Sequence, residues 1–417
     1  MKKGIMFSLL TLAVIIPVLA IILVQQITIS SYREKVTTEI RLKELLDTYE
    51  SITQDLDKSV EIVAPRAISA CVNFVINNGT PLSSATDTIE ELMIYGTLNS
   101  NSEELMEGNT LPVWINKIKN VTSLRGFITD IQLVDVEVKP YDSWNLEIDV
   151  NLTINITEEN GLASICRNFS MTNLVSIENF EDPLFTLKTF GRGSSIIQRS
   201  PYEGNYTVML TSGNGTNGWF YGQTVVTTNE SADAVENKDQ KVLVVDSVKG
   251  ITQLNSFGAI VCSCDVPSDV TVTYVEYASI SAIPNSTNVL VDGDEGKVWY
   301  IDNLIDDIQN SFYHSSEVGA SFLDRLEGEI EVQDKYKNLS KNTIGLEFFI
   351  DKTYISNLGL SVDLEKTNVD HLYFSEDSHH GKRVKGLEDT AFRIDEEFCT
   401  NNRTHAEIYG VDELLIE

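Results

Sequence analysis

Four side chains near the C-terminus have the types and spacing to hold a metal ion: Asp370, His371, His379 and His380. Imidazole nitrogens and carboxylate oxygens are the donors that borderline divalent ions take from proteins. Asp370-His371 sets one of each side by side, and Glu376-Asp377-Ser378-His379-His380 follows closely. The other histidines are His314 and His405. No two histidines stand at i, i+4 on a helix with a Glu between them, so the zinc-protease pattern is absent. His379-His380-Gly381-Lys382-Arg383 has the composition of a polar loop. The four residues are therefore kept as weak metal-ligand candidates, with no catalytic residue, cofactor-binding residue or cofactor assigned. An exported metal-dependent enzyme using the 370–380 region is the alternative reading that they support.

Other motifs carry less. Gly213-Asn214-Gly215-Thr216-Asn217-Gly218 matches G-x-G-x-x-G, but a dinucleotide site needs a helix to begin at those glycines. Trp219-Phe220-Tyr221 and residues 224–228 follow, which are strand-like, so a hairpin loop is expected. No Gly-Lys-Ser/Thr loop and no G-x-S-x-G elbow exist, which removes the P-loop and serine-hydrolase readings. Asp292-Gly293-Asp294-Glu295-Gly296 starts like a calcium loop but lacks its later oxygen ligands. Cys262-Ser263-Cys264 has one residue between its thiols, shorter than usual zinc spacing, and reads as two disulfide halves with separate partners. With Cys71, Cys166 and Cys399, the five thiols allow two disulfides and one left over.

The elements that must position these residues begin with residues 5–24, an uncharged apolar run. As a helix it spans ~30 Å, the thickness of a bilayer's hydrocarbon core. The run is longer than a secretory h-region, so an uncleaved anchor is expected, in contact with membrane lipid. A net charge of −31 over 417 residues argues against nucleic acid as a partner. Eleven Asn-x-Ser/Thr sequons follow the run: Asn78, Asn120, Asn151, Asn155, Asn168, Asn205, Asn214, Asn229, Asn285, Asn338 and Asn402. They mark N-glycosylation candidates and an exterior location for the C-terminal mass. The Lys/Arg count argues the other way, with Lys2 and Lys3 before the run and Arg33, Lys35, Arg41 and Lys43 after it. The sequons are given precedence.

The expected fold class is α+β: an N-terminal transmembrane helix with an amphipathic helical extension, then a helical segment and an antiparallel β-rich ectodomain. The segments read as 1–25 anchor, 26–64 stalk helix, 65–125 helical segment, 126–190 antiparallel meander, 191–297 β-rich domain and 298–417 mixed C-terminal region. Apolar residues at spacings of three and four predict the stalk, with Pro65 expected to break it. A second helix is expected over 66–77 and more over 85–98 and 111–124. Period-two alternation predicts strands over 128–138, 146–156 and about 165–177, with Asn151, Asn155 and Asn168 on the polar face. Strands are expected over 241–246, 257–264, 270–280, 346–350 and 369–374. Helices are expected over 298–312, 320–326 and 395–398.

Lys2-Lys3-Gly4 before an apolar helix resembles the class III signal of archaeal type IV pilins. That family's signal is cut after the glycine, and its apolar helix continues into an amphipathic one. Leu9 stands where many pilins carry the Glu used in subunit assembly, so the resemblance does not extend to a major pilin. More broadly, 179–184 (NFEDPL), 321–328 (SFLDRLEG), 369–374 (VDHLYF) and 392–395 (FRID) resemble a group of archaeal membrane-anchored exported proteins. This resemblance implies location and architecture, and no activity. The expected function is a cell-surface structural or adhesive glycoprotein, an accessory, minor-pilin-like component of a pilus-like or envelope assembly, with proteins of that assembly as partners. A ligand-binding surface receptor acting with a partner is the remaining alternative.

Overall fold

A computed structural model describes residues 2–202, 204, 206–209, 225–228, 242–245, 259–262, 289–291, 297–384, 386–387, 390–396 and 402–416. The Gly213 loop, the Asp292 turn and the strand expected over 270–280 lie outside these residues. So do Cys264, Cys399, Asn205, Asn214, Asn229 and Asn285. Contacts gather the chain into two compact units.

The first unit comprises residues 1–70, 86–138 and 147–175. It is led by helix α1, Lys2–Asn78, a single helix that runs on through Pro65. The break expected at Pro65 is thus overturned. The carbonyl that Pro65 leaves without its N–H belongs to Glu61, an exposed residue. Meanwhile Val60, Val63, Ala64, Ala67 and Ile68 are buried, and packing on both sides of the proline outweighs the lost bond. The helix changes character along its length. Val14, Ile21, Leu23 and Ile27 are all more than half exposed, whereas Leu45, Ile52, Leu56 and Val60 are buried. Among the described residues α1 is the helix long and apolar enough to cross a membrane.

Helix α2 (Ala85–Tyr95) is shorter than expected, because a two-residue hairpin, β1 (Thr97–Leu98) and β2 (Asn101–Ser102), takes over after Gly96. Helix α3 (Leu111–Ser123) buries Leu111, Ile115 and Ile118 at helical spacing. Strands β3 (Phe127–Pro140), β4 (Asn145–Glu158) and β5 (Ser164–Ser176) form a sheet in that order. Leu146, Ile148, Val150, Leu152, Ile154 and Ile156 are buried on one face of β4. Gly161, at φ +73°, turns the chain from β4 to β5.

The second unit comprises residues 71–85, 139–146 and 176–417. Asp182 caps helix α4 (Pro183–Lys188), its carboxylate accepting from the Leu184 N–H. Strand β6 (Thr207–Met209) is followed by β7 (Val225–Thr228), β8 (Val242–Val245) and β9 (Ala259–Cys262), and then by β10 (Val289–Val291) and β11 (Lys297–Tyr300). The sheet β10-β11-β6 is antiparallel, but β7-β8-β9 pair in parallel, which departs from the antiparallel expectation for this segment. The helix expected over 298–312 is a strand and then helix α5 (Ile301–Asn310): Val298-Trp299-Tyr300 favours extended backbone and belongs to β11.

Strand β12 (Tyr313–Ser321) leads into α6 (Phe322–Leu326), which a capping box between Ser321 and Asp324 starts, later than the expected residue 320. Gly328, at φ +76°, ends the turn that follows. After α7 (Asp334–Lys337), β13 (Gly345–Phe348) pairs with β12. Helix α8 (Lys352–Asn357) and helix α9 (Asp370–Phe374) follow, then β14 (Arg383–Val384), α10 (His405–Ile408) and β15 (Leu415–Ile416). Tyr206, Leu304, Phe349, Val369, Val384, Phe392, Ile394 and Tyr409 form the core around these short pieces.

Candidate metal centre

The site is built where β13, α6, α9 and α10 meet inside the second unit. Every residue of β13 is buried, so a charge on it must find partners. Glu347 is that charge. Close backbone approach sets its position. A Cβ on Gly345 would stand 2.0 Å from the Gly319 carbonyl oxygen, and one on Gly319 would stand 2.3 Å from that of Leu346. The two glycines let β12 and β13 pinch together at an irregularity in their register.

Residues 369–374 were expected as a strand and fold instead as α9, beginning after Val369 in extended backbone. A strand would have sent Asp370 and Leu372 to one face and His371 to the other. The helical turn buries Asp370, His371 and Leu372 together. Residues 395 and 396 are not helical either. Asp395 is instead a buried acceptor, and the last helix is α10, started by a capping box of Thr404 with Glu407.

These elements bring together two linked groups. In the first, Arg325 is fully buried and donates to three neighbours at 2.7 Å: Asp182 Oδ2 from Nη1, and both Asp370 Oδ2 and the Leu346 carbonyl from Nη2. Tyr313 donates to the same Asp182 oxygen at 2.8 Å. Burial pushes the Asp370 carboxyl up, but Arg325 outweighs it and holds the group below its ordinary range. In the second group, Glu347 accepts from the Tyr409 hydroxyl at Oε1 and the Ser316 hydroxyl at Oε2, both at 2.6 Å. His405 Nδ1 donates to Asp395 at 2.8 Å, which leaves its Nε2 3.5 Å from Glu347 Oε2. Burial pulls the His405 imidazole down, but the Glu347 and Asp395 carboxylates push it up to about 11. Burial also opposes ionisation of Glu347, and the two histidines outweigh it, so that carboxyl lies well below its usual range.

His371 is the unresolved member. It is 1% exposed, and neither ring nitrogen has a hydrogen-bond partner. Nδ1 lies 3.8 Å from Glu347 Oε2 and 3.7 Å from Asp370 Oδ1, beyond bonding distance. Leaving such a group unpaired costs about 1–3 kcal/mol. Glu347, His371 and His405 together offer three ligand atoms within 4.8 Å of one another, two imidazole nitrogens and one carboxylate oxygen. That donor set suits zinc and its neighbours among divalent ions.

The sequence candidates divide accordingly. Asp370 and His371 belong to the cluster. His380 is exposed and meets Ser378, and His379 lies on the same loop, so neither joins it. Glu347 and His405 were not singled out from the sequence. A Glu inside the apolar run Leu346-Glu347-Phe348-Phe349-Ile350 was the signal that could have found the first. Of the eleven sequons, Asn78, Asn120, Asn155, Asn168, Asn338 and Asn402 are exposed and Asn151 is half-buried. Cys71 is buried in α1 and Cys166 is exposed on β5. No family model matches the chain, and no curated protein or solved structure matches it.

Proposed function

We propose that the chain is a membrane-anchored surface protein, held in lipid by the apolar part of α1, with its folded units outside and glycosylated. In that setting it serves as a structural or adhesive component of the envelope or of a pilus-like assembly. The observation that carries this reading is the double character of α1. Leu12, Val14 and its apolar residues from Ile15 to Ile29 are exposed, and from Leu45 onward the same helix buries side chains in the fold. A continuous helix of this kind suits a rigid display stalk better than a flexible tether. The sequons add weight, since none of those described is buried. The metal-enzyme reading is less well supported, because Glu347, His371 and His405 are all buried and a catalytic metal keeps an open position. Cross-linking of intact cells followed by mass spectrometry tests the proposal. Links from the folded units to other envelope proteins are expected; self-links alone would overturn the assembly role.

A further inference from the structure

We propose that Glu347, His371 and His405 bind one divalent transition-metal ion of the zinc class, which ties β13, α9 and α10 together as a structural centre. The inference does not depend on the surface role proposed above.

Zinc held by nitrogen and carboxylate oxygen at ~2.0–2.1 Å in a tetrahedron has its ligand atoms about 3.3–3.4 Å apart. His405 Nε2 and Glu347 Oε2 are 3.5 Å apart, and His371 Nδ1 is 3.8 Å from the same oxygen. Shifts of a few tenths of an ångström would close both edges. A further oxygen, Asp370 Oδ1, lies 3.7 Å from His371 Nδ1.

His371 itself points the same way. A metal-free arrangement can satisfy His405 as a cation between Glu347 and Asp395. It leaves His371, 1% exposed, with no hydrogen bond on either ring nitrogen and with Nδ1 held 3.7–3.8 Å from the Asp370 and Glu347 carboxylates. A metal ion would take the Nδ1 lone pair.

The surrounding side chains hold the ligands in place. Asp395 accepts from His405 Nδ1, which fixes the tautomer that points Nε2 at Glu347. Tyr409 and Ser316 orient the Glu347 carboxylate. Of the buried carboxylates Glu347, Asp370, Asp182 and Asp395, Arg325 contacts Asp182 and Asp370, and His405 lies between Glu347 and Asp395. A divalent ion would take the place of the His405 proton as their counter-charge. The donor set of two nitrogens and one oxygen disfavours calcium and magnesium, which take oxygen shells. All three ligands are buried, which places the ion inside the fold, and Asp370 Oδ1, 3.7 Å from His371 Nδ1, is the nearby oxygen that could complete a closed four-ligand centre.

The test uses the full chain in detergent, with Zn2+ alone as probe. The wild-type protein is expected to hold about one zinc per chain after dialysis, as required for one three-ligand site. Removing it with a chelator should lower the melting temperature, and adding Zn2+ back should restore it. His371→Leu should lose the ion and melt lower, whereas the double variant His379→Ala/His380→Ala should keep it. Asp395→Asn should bind zinc about 10–100-fold more weakly. A folded wild-type chain that binds no zinc and melts alike with and without chelator would overturn the proposal. So would a His371→Leu variant as stable as wild type, since removing an orphaned imidazole should help a metal-free core. Should His371→Leu not fold, Co2+ in the wild type decides: intense four-coordinate bands are expected, and a weak six-coordinate spectrum would overturn it.

Discussion

Arg325 and Asp370 share a hydrogen bond of 2.7 Å, from Nη2 to Oδ2, and neither side chain reaches solvent. The bond joins α6 to α9, and the residue after Asp370 is His371. The position of the candidate ligand is therefore set by an ion pair that must itself be complete.

Removing the cation alone should be severe. Arg325→Met leaves Asp182 and Asp370 buried without it, a change of about 3–5 kcal/mol in comparable buried pairs. Denaturant unfolding of the variant measures this. Arg325→Lys should not rescue it, because a single ammonium cannot reproduce the fork that reaches Asp182, Asp370 and the Leu346 carbonyl. Adding Asp182→Asn and Asp370→Asn to Arg325→Met should recover part of the loss.

Gly345→Ala should destabilise by about 1–3 kcal/mol or more, the range for forced overpacking. Its Cβ would meet the Gly319 carbonyl oxygen at 2.0 Å, and backbone cannot swing aside as a side chain can. The same variant should weaken zinc retention, since β13 carries Glu347. Equal zinc content and melting temperature in variant and wild type would count against the pinched-strand geometry.

A pH dependence attaches to Asp324. Burial pushes its carboxyl up from 3.8 to about 6, against the donors Ser321 and Gln333. Between those values the folded chain holds a proton that the unfolded chain has released. Stability from this group therefore rises as pH falls from about 6 towards 3.8, by about 3 kcal/mol at ~1.4 kcal/mol per pH unit. Asp324→Asn keeps an acceptor for the cap and should remove that slope. Unfolding of both proteins across the window gives the comparison.

The two halves of α1 should respond oppositely to truncation. Leu56→Ala, in the buried half, should cost about 2–5 kcal/mol. Ile27→Ala, at a position 68% exposed, should leave unfolding in detergent unchanged. Both are read by thermal melting of the full chain.

Much of the architecture could be read from side-chain periodicity. The alternation in β4 and the spacing in α3 are local signals, and both elements lie within a residue or two of expectation. Elements whose form depends on distant partners were harder. Residues 369–374 carry Val, Leu, Tyr and Phe, which favour a strand in isolation. Only Arg325, far away in sequence, makes it worthwhile to turn Asp370 inward. Pro65 misled because its cost is local and its compensation is tertiary packing. At the site, adjacency made Asp370-His371 legible. His405 and Glu347 approach it only through the fold, and no spacing rule links positions 347, 371 and 405.

The proposed surface role requires the folded units to face the cell exterior. Labelling of intact cells with a membrane-impermeant amine reagent tests this directly, through the exposed Lys43, Lys117 and Lys337. These lysines are expected to label on intact cells to the same extent as after lysis. Labelling that appears only once the cells are broken would contradict it.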